Sequence, residues 1–155
     1  MSKFEGDREF ALRPDETHAR LTDVSFLVGC IPDVETVRVI EADRAELVLR
    51  PGFSFVRGTL AVTLRLVERV APDARFVLVS KGIGSSSEVQ ATLAIAESGT
   101  GSRVHWVAEV TNLGGLLKLV PAGLIRGAAE KVINDAWDRI ERAMGEGKSN
   151  DGSDP

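Results

Sequence analysis

Between Val34 and Thr111 the chain is a succession of strand signals, and one long amphipathic stretch, Leu116 to Met144, closes it. One sheet has two faces and one helix covers only one of them, so the sheet is expected to bend around that helix and leave space between. The alternation is clean. On Gly58 to Glu68 the apolar Leu60, Val62, Leu64 and Leu66 alternate with Thr59, Thr63 and Arg65, and a period of two means one buried face. Val89, Ala91, Leu93 and Ile95 repeat the pattern, as do Val104, Trp106, Ala108 and Val110.

Phe4 to Leu12 reads as a first strand, with Phe4, Gly6, Phe10 and Leu12 on one side and Glu5, Asp7 and Glu9 on the other. After Arg13-Pro14, Asp15 marks a short helix, and Thr22 or Asp23 caps a second before Ile31-Pro32-Asp33 stops it. Strands are then expected at Val34–Glu41, Ala45–Arg50, Phe53–Val67 and Arg75–Lys81. Two more are bounded by Gly82-Ile-Gly84 and Gly99-Thr-Gly101. The expectation is an α+β domain with a seven-stranded antiparallel meander, two short helices between strands one and two, and a long C-terminal helix. That helix carries Leu117, Leu124, Ala128, Val132, Ala136 and Ile140 on its apolar stripe, and Pro121 is read as the start of its regular part. Residues 1–144 form one domain. Gly145 to Pro155 is polar and glycine-rich and is expected to be a disordered tail.

A formal net charge of -4 with both signs interspersed lacks the basic face that nucleic acid requires. Cys30 is alone, so neither an internal disulfide nor a zinc cage is open to it, and a reducing, cytoplasmic setting is expected. The charged N-terminus and the absence of an 18-residue apolar run argue against secretion and membrane spanning. Aromatics make up only 5% and Tyr is absent, so the core must be filled by small aliphatic side chains, which leave a cavity more easily than rings do.

No residue cluster announces a reaction. His18 and His105 are the two imidazoles, without Cys or carboxylate at ligand spacing, and they read as solvated surface groups. Gly82-Ile-Gly-Ser-Ser-Ser lacks the Gly-Lys-Ser/Thr of a phosphate loop and reads as a hairpin turn. Ser80, Ser85, Ser86 and Ser87 have no identifiable base. Phe53 and Phe55, in a Pro-Gly-bounded crossing, serve either as the lip of a cavity or as core caps. Leu64, Phe76, Leu78, Leu93, Trp106, Leu117, Leu124 and Ala128 would be its walls, the alternative being dry core. Ser80, Thr92 and Arg8 are candidate polar handles. No cofactor and no metal are expected.

The order β-α-α-β6-α is that of the helix-grip fold shared by START-like, polyketide-cyclase-like and plant-allergen-like carriers. Cys30-Ile31-Pro32 followed by Asp33-Val-Glu-Thr-Val resembles the "D-x-x-x-L-x-x-C-I-P-G-x-E" start of the G-subunit family of carbon monoxide dehydrogenase. Pro51-Gly52 with Gly58, Gly82 and Gly84, Gly99-Thr100 and Leu113-Gly114-Gly115-Leu116 fit it in the same order, over about residues 4–144. Asp33 stands where the family has glycine, and the paired aromatic near the helix end is reduced to Trp137. The family's C-terminal membrane-binding extension has no counterpart, so no intrinsic membrane anchor is expected. The resemblance implies a cavity for a hydrophobic small molecule, of quinone or lipid class, presented to an oxidoreductase partner. The alternatives are a cyclase or dehydratase using the same cavity, and an assembly factor for a molybdenum hydroxylase.

Overall fold

A computed structural model describes residues 2–52 and 58–149. Strand β1, Lys3–Phe10, leads to helices α1, Pro14–Leu21, and α2, Val24–Val28. Strands β2, Val34–Ile40, β3, Arg44–Leu49, β4, Leu60–Glu68, β5, Asp73–Gly82, β6, Ser85–Ser98, and β7, Gly101–Gly115, follow. A single 3₁₀ turn at Leu116–Leu119 precedes α3, Ala122–Ser149. All seven strands pair antiparallel in one sheet ordered β1-β7-β6-β5-β4-β3-β2, so the expected α+β architecture, with its two short helices after strand one, is what the chain adopts. The first strand closes onto the last: Gly6 stands opposite Trp106 and Phe4 opposite Ala108.

Local chemistry accounts for the element ends. Asp23 caps α2, its carboxylate accepting from the Phe26 N–H at 3.3 Å. Helix α1 begins at Pro14 itself, a residue suited to a first turn because its missing N–H is not needed there, and Asp15 lies within that turn. Ile83 and Gly84, both at positive φ, form the two-residue turn between β5 and β6. Thr17 and Ser102, both fully buried, share a hydrogen bond of 2.7 Å that pins α1 to β7.

Three expectations need correction. The C-terminal helix does not run from Leu116 but opens at Pro121, where its regular part was expected to start: Val120 is extended, as a residue before proline prefers, and the Pro121 carbonyl accepts from the Leu124 N–H at 3.0 Å to open α3. Its far end runs through Gly145 to Ser149, into the segment read as tail. The strand expected from Phe53 begins at Leu60, and Phe53 and Phe55 lie outside the described residues.

The core joins α1, α2 and the inner faces of β1 and β3–β7 to the C-terminal half of α3. Between Ala122 and Gly145, the buried side chains of α3 are Trp137, Ile140 and Met144. The preceding turns stand half-buried or exposed above the sheet.

Candidate functional site

On β5 the buried Ala74 and Phe76 fix which face is inner, and the two-residue period places Leu78 and Ser80 on it as well. By the same rule Ser87, Val89 and Ala91 of β6 face inward, yet Leu78, Val89 and Ala91 are only partly buried. Ala129 and Ile133 of α3 are likewise partly covered. Apolar surface therefore lies under the N-terminal half of the helix, where the helix does not close onto the sheet.

Along the β1 edge, between β1 and α3, lies a cavity of about 380 Å³. Phe4, Trp106 and Ile133 supply its apolar lining, and Lys3, Glu5, Arg126, Glu130 and Asn134 its polar lining. Lys3 and Glu5 alternate with the buried Phe4 along β1, and the Glu5 carboxylate reaches His105 on the outer face. The Arg126 guanidinium lies 4.8 Å from the Phe4 ring centroid, a cation–π contact between helix and edge strand.

Trp106 is held on two sides. Its indole stacks on Trp137 with centroids 6.2 Å apart and planes at 29°, and Phe10 lies 6.4 Å beyond Trp137. Toward β1 it lies against Gly6, where a Cβ would stand 3.0 Å from indole Cζ2 and 3.2 Å from Nε1. Glycine at position 6 is what lets the ring lie so close to the strand. Trp106 is 8% exposed, and its Nε1 is a buried donor with no hydrogen-bond partner among the described residues.

The residues named from sequence divide accordingly. Trp106 lines the cavity, while Leu64, Phe76 and Leu93 are packed in the core. Leu78, Leu117 and Ala128 are half-buried, and Leu124 is 53% exposed, at the same end of the molecule as Leu116, Leu119 and Ile83. Of the polar handles, Ser80 is bonded to Ser87 at 2.5 Å and Thr92 is exposed. Arg8 is engaged elsewhere: it donates to Asp138 at 2.9 Å and Glu141 at 2.8 Å, tying β1 to α3. Burial pulls the pKa of its guanidinium down, but the two carboxylates outweigh this and hold it above the ordinary arginine value. Phe4 and Ile133 were missed as lining residues. A glycine facing a tryptophan across a strand pair was the signal available.

His105 sits on the outer face, as expected, but β1 brings carboxylates to it: Nδ1 lies 3.0 Å from Asp7 and Nε2 3.5 Å from Glu5. Cross-strand register creates this cluster, and spacing along the chain hides it. His18 Nε2 lies 3.0 Å from the Asp73 carbonyl. Among the described residues no three His, Cys, Asp or Glu side chains gather as metal ligands would. No described helix is long and apolar enough to cross a membrane.

Residues 6–145 match the family model described as the G subunit of carbon monoxide dehydrogenase, CoxG. No curated protein matches the chain. Among solved structures it is similar to a conserved protein from Geobacillus kaustophilus, with TM-score 0.82, 16% identity, and 94% of this chain and 96% of that one covered. It is also similar to a START superfamily protein from Mycobacterium smegmatis, with TM-score 0.68, 8% identity, and 93% and 97% covered. At these identities the likeness speaks for the fold.

Proposed function

Since the chain belongs to the CoxG family, we propose that it binds a hydrophobic small molecule, of quinone or lipid class, and carries it without transforming it. The observation that carries this reading is the partly covered apolar face between the sheet and the first half of α3, with a cavity of about 380 Å³ between α3 and β1. Affinity comes from burying that face against a ligand, at about 25 cal/mol per Å² of apolar area, with a small number of polar groups fixing orientation. The family name supports an oxidoreductase as the partner that receives the ligand. The lone, buried Cys30 supports a reducing, cytoplasmic setting.

A carrier is favoured over a cyclase or dehydratase because the cavity lining offers no matched acid and base. Its carboxylates, Glu5 and Glu130, are exposed, whereas proton-transfer catalysis calls for groups tuned by burial. The test is titration of the purified protein with an environment-sensitive apolar probe, displaced by a long-chain quinone or a fatty acid. Saturable, competitive binding at one site is expected; probe uptake that neither competitor displaces would refute the reading.

A further inference from the structure

We infer that the first half of α3 is a gate for the ligand, opening by unwinding at Gly127 while the second half of the helix stays in place. This rests on the binding reading above and adds how the site is reached. Arg126, Glu130, Ile133 and Asn134, all on the first half, form the helical wall of the cavity, so movement of this half changes access to it. The two halves are held very differently. Trp137, Ile140 and Met144 are buried, and Arg8 donates to Asp138 and Glu141. No residue of α3 before Trp137 is buried, and Leu124 is 53% exposed. Toward β1 this half is met by the Arg126 guanidinium over the Phe4 ring and by a long hydrogen bond, 3.4 Å, from Arg8 to Asn134. Both are weak contacts. Few buried apolar contacts and exposed backbone hydrogen bonds mark the low-stability end of a fold. Upstream, the 3₁₀ turn and the extended Val120 join the helix to β7, so no rigid element continues into it.

Gly127 gives this half its point of yield. Glycine inside a helix is less favourable than alanine, because its unwound backbone has more freedom to lose. Close packing would account for it, as it does where Gly6 lies against Trp106. Gly127 has no such reason: it is exposed, and among the described residues a Cβ there would meet nothing within 4 Å beyond the helix's own backbone. The same holds for Gly123 in the first turn. Gly127 therefore supplies a turn that unwinds readily, adjacent to Arg126 and one turn from Glu130 in the cavity wall.

Gly127→Ala and Gly145→Ala form a matched pair. Each adds one methyl group at an exposed helical position with open space around it, the first in the loose half and the second beside the buried Met144. The probe is N-phenyl-1-naphthylamine, a neutral fluorescent naphthalene, whose binding to the full chain is followed by stopped flow and whose affinity is read by titration. If ligand passes while the turn is unwound, Gly127→Ala slows association and dissociation alike by about two- to fivefold, the difference between glycine and alanine in a helix. Affinity stays unchanged, because the unwound state is neither the free nor the bound resting state, and Gly145→Ala leaves both rates as they are. Unchanged rates in Gly127→Ala, equal slowing in the two variants, or a fall in affinity without slowed association overturns the gate, and the carrier reading stands. If the probe binds none of the three proteins, the carrier reading fails and takes this inference with it.

Discussion

Gly6 and Trp106 show how a single side chain, or the lack of one, shapes the site. Gly6→Ala would place a methyl 3.0 Å from the indole, forcing the ring or the strand to shift. Overpacking of this kind typically costs about 1–3 kcal/mol, and the displaced ring should narrow the cavity. Urea denaturation should show the loss, with a parallel fall in probe affinity. Cys30 makes a second prediction. Burial pushes its thiol up, only partly offset by Arg20 and Arg139, so the folded protein keeps the proton at a pH where the unfolded chain has lost it. The stabilisation is therefore complete below the unfolded thiol's pKa of about 8.5 and declines as pH rises past it. Stability measured across that range should fall more steeply in the parent than in Cys30→Ala, and alkylation of Cys30 should be slow until denaturant is added. Alternation placed Trp106 on the inner face from sequence, but it could not separate a cavity wall from core. Leu64, Phe76 and Leu93 satisfy the same period and are packed solid.

Helix α3 does two jobs along its length. Its C-terminal half is clamped by Trp137, Ile140 and Met144 and by Arg8 on Asp138 and Glu141, while its first half stands over uncovered apolar surface. Trp137→Ala should cost about 3–5 kcal/mol, as aromatic truncations in cores do. Leu124→Ala, at an exposed position, should stay within about 0.5 kcal/mol. Equal costs at the two positions, in chemical denaturation, would deny the division. The stripe from Leu117 to Ile140 announced the helix correctly. It could not reveal that the stripe is covered along only part of its length, because coverage depends on how the helix leans against the sheet. The break at Val120-Pro121 was legible in the proline, yet the apolar period runs on through the 3₁₀ turn and made the helix look longer at that end.

At the scale of the whole molecule, seven strands, two short helices and one long helix are the fold that the alternation and turn residues predicted, over the span that matches the CoxG family. Strand order was legible because short turns force neighbours to pair; the closure of β1 onto β7 entered only through the family resemblance, since no local signal joins residues 3–10 to 102–109. The cavity arises from that long-range closure, which is why its β1 wall escaped sequence reading. If the space between sheet and helix is built to hold a hydrophobic molecule, the protein should leave the cell with one bound. Native mass spectrometry of the gently purified full chain, repeated after organic extraction, reads this out. A discrete extra mass is expected, removed by extraction and restored with one-to-one stoichiometry by a long-chain quinone or a fatty-acid probe. A bare protein mass before extraction, with no uptake of either probe afterwards, would contradict a ligand-holding role.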